Sequence, residues 1–407
     1  MSWEMTTIGN HCTVTSSKRF RLSERSNSGV PFYCSKEIIQ KNRGEEITDC
    51  DYISEEFYLN IAEKFGVPQE SDLLVTTRGT IGVPYLYRRN DRFYFADGNL
   101  TWIKDFKETL IPQFLYYWFL THEGQKKIDA IAKGTAQKAV PIADIKTLEI
   151  CLPPADVQRR ISGILSAYDN LIENNQRQIK LLEEAAQRLY KEWFVDLRFP
   201  GYETTHIVDG IPEGWEKDRA DSFFNITIGK TPPRTENRWF TSGNKGIPWL
   251  SISDMGNDSV FALETSEGLT EEAVKKHNMK VVSSGTILVS FKLTVGRVAI
   301  SNTEMCTNEA IAHFHIEDDL QRAYTYCYLR NFEYDTLGNT SSISKAVNSK
   351  IIKAMPFIMP NKKTVSTFSQ IVTPILEEIK NKQMACLKTQ EARNRLLPKL
   401  MSGEIEV

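Results

Sequence analysis

The chain has 407 residues, a length that fits two or three domains of ordinary size. Hydrophobic residues make up 41% and charged residues 25%, which is the composition of a soluble globular protein that builds its cores without metal or disulfide cross-links. The formal net charge of −2 argues against the commonest freestanding nucleic-acid-binding proteins, which are basic overall. Any such surface on this chain must be a local basic patch.

The cysteines and the amino-terminal segment predict a cytoplasmic location. The seven cysteines are odd in number and form no CxxC pair, which argues against a disulfide framework or a zinc site. Residues 1–10 lack the basic start and apolar run of a signal peptide. The longest apolar stretches, such as residues 111–120, are too short to span a bilayer.

The first part of the chain, residues 1–153, is predicted to be a globular domain rich in β-strands. Short apolar runs at 73–76 and 83–87 lie between turn residues, and a further strand is predicted at 148–152. Pro153 and Pro154 bound this last strand.

A long helix is predicted after these prolines, at 154–198, because apolar residues recur every three or four positions. The seam consists of Ile161, Leu165, Tyr168, Ile172, Asn175, Ile179, Leu182, Ala186, Leu189 and Trp193. At 1.5 Å per residue the helix is on the order of 50 Å long. Pro200 and Gly201 are expected to end it.

The second part of the chain follows the same order. A linker at 199–212 precedes a domain at 213–360, and a second long helix is predicted at 361–407, with Gly403 near its end. Its seam, which is weak in the middle, consists of Phe368, Val372, Ile375, Ile379, Lys382, Cys386, Thr389, Arg393, Leu396 and Leu400. Each helix either packs on its own domain or pairs with the other. The shared register favours an antiparallel pair.

An internal duplication explains this order. The two halves match at an offset of about 210 residues, far longer than the repeats of solenoid proteins. Residues 1–4 match 213–216, 29–32 match 246–249, and 72–82 match 286–296 without a gap. Residues 138–140 match 345–347, and the correspondence then continues through both helices. Five matches in the same order indicate two copies of a domain with its trailing helix.

Motifs for catalysis are nearly absent. The sequence contains no G-x-x-x-x-G-K-[ST] loop and no G-x-G-x-x-G after a strand. Residues 152–155 (LPPA) superficially resemble the [DNS]-P-P-[YF] motif of amino-methyltransferases. Leu152 and Ala155 supply neither the hydrogen bond to the target amine nor the aromatic stacking of that motif.

Two further arrangements are interpreted as structural. Asp144 and Lys146 have the spacing of a D-x-K nuclease motif, but no upstream Pro-Asp partner stands out. His313 and His315 alternate on a predicted strand and therefore point to one side. Without a third ligand nearby they are interpreted as partly buried histidines rather than as a metal site.

The duplicated loop after the buried strand is the strongest candidate for contact with DNA. It carries Arg78 and Thr80 in the first copy and Lys292 and Thr294 in the second, each followed by a glycine. Arginine suits bidentate contact with guanine or phosphate, and lysine acts as a mobile point charge. The alternative is a hairpin turn whose cation is simply solvated.

Five more segments are candidates for the same role. A polar loop ends at Lys138 in one copy and at Lys345 in the other, where it can place donors on phosphates or base edges. Lys230 lies near Arg234, Arg238 and Trp239, and residues 18–25 form a loosely matching basic segment. Lys36 stands where the second copy has Ser253. The predicted DNA-contacting residues are Arg78, Thr80, Lys138, Lys292, Thr294, Lys345, Lys36 and Lys230.

The sequence resembles the specificity subunits of Type I restriction–modification systems over essentially its whole length. Residues 210–216 (GIPEGWE) and 246–250 (GIPWL) are similar to the start of a target recognition domain. Pro153, Pro154, Gln158 and Ile161 resemble the start of the conserved helical region of that family, and residues 191–201 (KEWFVDLRFPG) resemble its end.

The resemblance implies an α+β fold with two similar target recognition domains, separated by two long antiparallel coiled-coil helices. Each domain would read one half of a split double-stranded DNA sequence, and the helices would set the number of unread base pairs. The implied partners are two modification subunits, which methylate adenine with S-adenosylmethionine, and ATP-dependent restriction subunits. The chain itself would be no enzyme and would hold no cofactor or metal.

Some residues depart from the tidiest form of the family. Residues 1–4 lack the Ile-Pro-Glu-Gly lead-in, which leaves open how the first domain is anchored at its start. Pro141 and Ile142 match Asn348 and Ser349, so the two domains are expected to read different half-sites. Two other classes stay open: a DNA methyltransferase or nuclease with an unrecognised site, and a protein scaffold that does not bind DNA.

Overall fold

The computed structural model describes residues 3–19, 24–45, 47–96, 98–134, 138–243, 245–256, 259–337 and 347–407. The chain divides into two compact units. Unit 1 consists of Met1–Glu173 together with Thr389–Val407, and unit 2 consists of Asn174–Lys388. In the described ranges, no helix has both the length and the apolar character needed to cross a membrane.

Unit 1 contains ten strands and five helices, and two longer helices pass through it. The strands are β1 (Glu4–Thr7), β2 (Thr13–Thr15), β3 (Arg25–Ser26), β4 (Val30–Tyr33), β5 (Asp51–Ile53), β6 (Leu73–Thr76), β7 (Pro84–Leu86), β8 (Tyr94–Phe95), β9 (Leu100–Lys104) and β10 (Glu149–Leu152). The helices are α1 (Ser35–Asn42), α2 (Glu55–Phe65), α3 (Pro112–Leu120), α4 (His122–Ile131), α5 (Ile142–Lys146) and α6 (Ala155–Tyr190), which continues into unit 2. These counts refer to the described residues.

Unit 2 has a similar set of elements. Its strands are β11 (Ile207–Val208), β12 (Ile211–Pro212), β13 (Glu216–Arg219), β14 (Asn225–Ile228), β15 (Phe240–Ser242), β16 (Ile247–Leu250), β17 (Phe261–Ala262), β18 (Glu267–Leu269), β19 (Ile287–Ser290), β20 (Val298–Ser301), β21 (Cys306–Thr307), β22 (Ile311–His315) and β23 (Pro356–Met359). Its helices are α7 (Ala220–Phe223), α8 (Glu271–Lys276), α9 (Arg322–Asn331), α10 (Ser349–Lys353) and α11 (Lys362–Met401), which continues into unit 1.

The sheet topology shows the duplication directly. Unit 1 has two four-stranded sheets, in the orders β2-β9-β6-β7 and β3-β5-β4-β8. Unit 2 has the same two orders in the equivalent strands, β14-β22-β19-β20 and β15-β18-β16-β21. Strand β17 extends the first of these two sheets, where it pairs parallel to β20 at the edge, and the short pair β11-β12 is a further addition among the described strands of unit 2. The predicted α+β fold with an internal duplication is confirmed.

Burial explains the placement of the central strands. Every residue of β6 and of β19 is buried, and each strand is paired on both sides. A short, mainly apolar run bounded by turn residues is typical of a strand covered on both faces. The predicted run at 73–76 and its match at 287–290 therefore form the interior of their sheets.

The start of the first domain is anchored in the same way as that of the second. Strand β1 pairs antiparallel with β10, from Glu4 opposite Leu152 to Thr7 opposite Glu149. Strand β13 pairs with β23 in the same manner. The strand that closes each domain thus pairs with the strand at its start, in the first copy as in the second.

The long helices follow the predicted seams with local corrections. Along α6 the predicted positions are buried or half-buried, but near its end Tyr190 is buried where Leu189 was expected. A π-helical turn at Lys191–Val195 follows directly. On α11, Leu376 and Leu397 are buried, whereas Ile375 and Leu396 are half-buried. An α-helix has 3.6 residues per turn, so a strict seven-residue pattern drifts around the helix.

Within unit 1, α6 packs both on its own domain and on the second helix. Ile161 and Leu165 lie in one apolar cluster with Phe114 of α3 and with Leu397 and Leu400 near the end of α11.

Further along α6, Asp169 pairs with Arg393, an earlier residue of α11, so the two segments are antiparallel. Within unit 2, the ring of Trp193, just after α6, lies 5.7 Å from that of Phe368, near the start of α11. Both of the packing arrangements considered from the sequence are therefore present.

Candidate nucleic-acid interface

In unit 1, the predicted loop is a tight hairpin between β6 and β7. We call residues 77–82 hairpin loop 1. The buried Thr76 accepts two bonds: its hydroxyl accepts from the Val83 amide at 2.9 Å, and its carbonyl accepts from the Gly82 amide at 2.7 Å. These bonds fix the base of the loop, and Arg78, Gly79 and Thr80 are exposed at its tip.

Two other candidate segments meet hairpin loop 1. The Gly79 amide donates to the Lys138 carbonyl at 3.3 Å, and the Val140 amide donates to the Thr77 carbonyl at 2.9 Å. The Ser35 hydroxyl, at the start of α1, lies 3.4 Å from the Arg78 carbonyl. Its neighbour Lys36 is exposed. The structure thus places Arg78, Thr80, Lys138 and Lys36 on one part of the surface of unit 1.

The cations of this surface differ in their partners. The Lys138 ammonium pairs with Asp129 at 2.9 Å, with both side chains more than half exposed. Pairs of this kind contribute at most about 1 kcal/mol, so the ammonium can exchange Asp129 for a phosphate at little cost. In the described part of the chain, Arg78 and Lys36 make no ion pair. Their charges are available to a ligand.

In unit 2, the equivalent hairpin has the same framework. We call residues 291–296 hairpin loop 2. The Ser290 hydroxyl accepts from the Arg297 amide at 3.0 Å, and its carbonyl accepts from the Gly296 amide at 2.9 Å. Lys292, Leu293 and Thr294 are exposed at the tip. The match between residues 72–82 and 286–296 therefore extends to the hydrogen bonds.

Hairpin loop 2 lies near an acidic side chain that the sequence did not single out. The Glu309 carboxylate accepts a hydrogen bond from the Thr231 hydroxyl, which lowers the pKa of Glu309. The positive charges of Lys292 and Arg234 lower this pKa further. Glu309 is therefore an ionised acceptor beside the cation of hairpin loop 2.

The remaining candidates of unit 2 are less available. The Lys230 ammonium donates to the His277 carbonyl at 2.6 Å, although the residue is exposed. Arg234 pairs with Glu267 at 2.8 Å and lies over the rings of Phe240 and Trp249. This basic segment is thus held largely by its own unit.

Several predicted residues lie outside the described ranges. Lys345 is among them, as are the central residues of both polar loops, 135–137 and 338–343. The same holds for residues 20–23 of the first basic segment.

His313 and His315 make hydrogen bonds with nearby threonine side chains. Both rings lie 2.9 Å from the Thr227 hydroxyl, so they do point to one side of β22. The other nitrogen of His313 lies 2.7 Å from the Thr307 hydroxyl, and burial lowers the pKa of His313 to about 3. Among the described residues, no three His, Cys, Asp or Glu side chains are grouped to hold a metal ion.

The D-x-K residues and the segment that follows the two prolines also make structural contacts. The Asp144 carboxylate pairs with Lys133 at 2.6 Å. Gln158, which follows the two prolines, is fully buried. Its amide accepts from the Ile111 amide at 2.9 Å and donates to the carbonyls of Thr109 at 2.9 Å and Pro153 at 2.8 Å. Gln158 thereby fixes the first turns of α6 on the domain that precedes it.

Comparison with known proteins identifies the family to which the chain belongs. The family model for the Type I restriction modification DNA specificity domain matches residues 1–184 and again residues 212–389. The chain therefore belongs to this family, and its function is DNA sequence recognition within a Type I restriction–modification system.

Individual relatives are named as specificity subunits of Type I restriction enzymes. The Type I restriction enzyme MjaIX specificity subunit of Methanocaldococcus jannaschii is 27% identical over 313 residues, which cover 74% of this chain and 71% of the relative. The HindI specificity subunit of Haemophilus influenzae is 23% identical over 392 residues, covering 78% and 84%. A Type I S subunit from M. genitalium, known from a crystal structure, shares the fold with a TM-score of 0.60 at 15% identity, over 98% of this chain and 96% of that one.

Proposed function

We propose that each unit reads one half of a bipartite DNA target with its hairpin loop. The observation that supports this proposal is the same hairpin, built twice on a buried strand, with an exposed cation and an exposed hydroxyl at equivalent positions. Arg78 and Thr80 would contact one half-site, and Lys292 and Thr294 the other. Catalysis belongs to other subunits.

The neighbouring cations would complete the first contact surface. Lys36 and Lys138 flank Arg78 and suit phosphate groups, because lysine is a mobile point charge. Arg78 presents a planar fork with two parallel N–H donors, which matches the O6 and N7 acceptors of guanine in the major groove. Phosphate contacts would position unit 1, and Arg78 would select the base.

Lys345 would contribute to the second half-site, as its match with Lys138 suggests. Lys230 would do so only after exchanging the His277 carbonyl for a phosphate oxygen.

The long helices would act as a spacer and as a docking frame. At about 1.5 Å per residue, the 36 residues of α6 span about 54 Å. This length would set the number of base pairs between the half-sites. We further propose that two modification subunits dock on this frame and methylate adenine, and that ATP-dependent restriction subunits join them.

The first experiment is a methylation-sensitive genome sequence of the source strain, with and without the gene. A bipartite adenine-methylated motif should disappear when the gene is deleted. If the motif persists without the gene, another protein reads it and the proposal fails.

The second experiment assigns the contacts. The chain is reconstituted with its modification subunits, and selection from random DNA is compared for Arg78→Ala and Arg89→Ala. Arg89 is also exposed, but it lies after β7, whereas Arg78 lies in the loop before that strand. Only the first variant should relax one base of the motif. A complex that assembles but binds DNA without sequence preference would contradict the proposal.

A further inference from the structure

Leu293 stands out at the tip of hairpin loop 2. Its side chain is 97% exposed, and its backbone has a positive φ of 61°. Leucine rarely adopts this left-handed conformation, because its Cβ approaches the neighbouring carbonyl. An exposed apolar side chain and a left-handed backbone are both unfavourable for leucine at this position.

The duplicated copy shows what the backbone itself requires. Gly79 occupies the equivalent position of hairpin loop 1, with a φ of 75°. Glycine adopts this conformation without a steric penalty. The turn therefore needs a residue with a left-handed backbone, but it does not need a leucine side chain.

The base of the loop holds Leu293 outward. The Ser290 hydroxyl donates to the Thr294 carbonyl and accepts from the Arg297 amide, so it ties both arms of the loop together. Gly296 lies against the Tyr334 ring so closely that a Cβ there would stand 2.8 Å from a ring carbon. These contacts fix the loop independently of any contact by the leucine.

We propose that Leu293 contacts the methyl group of a thymine in the half-site read by unit 2. This inference rests on the proposed function. Lys292 and Thr294 flank the leucine with a cation and a hydroxyl, which suit phosphate and base edges. In the major groove, the C5-methyl group of thymine is the apolar group at a base edge. A leucine held between polar neighbours can therefore distinguish a thymine from a cytosine.

Uracil substitution tests this contact directly, because uracil lacks the methyl group and keeps the same hydrogen bonds. In the reconstituted complex, each thymine of the methylated motif is replaced in turn by uracil, and the affinity is measured. For the unaltered chain we expect a loss of about fourfold at one thymine of one half-site, the effect of one buried methyl group.

Two variants identify the side chain responsible. Leu293→Gly and Leu293→Asn both suit a left-handed backbone, so neither should lower the unfolding temperature. With either variant, uracil and thymine should bind equally at that position. Leu320→Asn, which alters another exposed leucine of unit 2, should keep the fourfold difference.

The outcomes separate this inference from the proposed function. If no uracil changes the affinity, or if the difference persists in both Leu293 variants, the thymine contact is wrong although specific binding stands. If thymine and uracil sites bind the unaltered chain equally and both variants weaken them to the same extent, Leu293 acts as a wedge between bases rather than as a methyl reader, and the inference is also overturned. A loss of all sequence preference by the unaltered complex would instead refute the proposed function.

Discussion

Replacing Gln158 with leucine should destabilise unit 1, because three polar groups lose their partner at once. The side chain is fully buried, and its amide makes hydrogen bonds with the backbone of Ile111, Thr109 and Pro153. Leucine has a similar size and fills the space, so the change isolates the hydrogen bonds. At about 1 kcal/mol for each bond, the free energy of unfolding should fall by roughly 3 kcal/mol.

Thermal unfolding and hydrogen exchange measure this effect. For a unit of this size, roughly 3 kcal/mol corresponds to an unfolding temperature about 6–12 °C lower. The Ile111 amide, which donates to Gln158, should exchange faster in the variant. The control is Gln69→Leu, since Gln69 is exposed and its side-chain amide donates only to the nearby Val67 carbonyl among the described groups. An unchanged unfolding temperature with a protected Ile111 amide would show that these hydrogen bonds do not stabilise unit 1.

Three further predictions concern binding and pH. Arg78→Ala should weaken specific binding by roughly 1–3 kcal/mol, whereas Arg89→Ala should have no effect in the same titration. The logarithm of affinity should fall linearly with the logarithm of salt concentration between 50 and 200 mM, and Lys36→Ala should make that slope shallower by about 0.9; a flat response would exclude phosphate contacts. His313 has a folded pKa of about 3, well below that of the unfolded chain, so unit 2 should be fully stabilised above about pH 6.5 and lose stability as the pH falls towards 3. Between pH 6.5 and 5 the loss should be about 2 kcal/mol, and calorimetry of His313→Gln at both pH values should show a smaller difference.

The fold could be predicted largely from two sequence patterns. The order of matched segments predicted two copies of one domain, and the sheet orders of the two units confirm it. The spacing of apolar residues predicted both long helices. It placed Leu189 and Ile375 on the buried face instead of Tyr190 and Leu376, because a π-helical turn and the drift of a 3.6-residue turn are not visible in a heptad pattern.

The candidate site was only partly predictable. The duplicated loop identified Arg78 and Lys292 as candidates, because a basic residue recurs at the same position of both copies. The grouping of Lys36 with Arg78 depends on Ser35, which bonds across 43 positions of the chain. The conformation of Leu293 and the proximity of Glu309 to Lys292 also arise only on folding. The roles of these residues in reading DNA stay predictions.

Unit 1 is assembled from two distant parts of the chain, and this affects the order in which the two units can fold during synthesis. Residues 1–173 leave the ribosome early, but Leu397 and Leu400 of the same apolar cluster are synthesised more than 200 residues later. Unit 2 is continuous in sequence and can therefore finish first, contrary to the usual sequence of domain folding during synthesis. A nascent chain would thus hold unit 1 incomplete until Leu397 and Leu400 have been added.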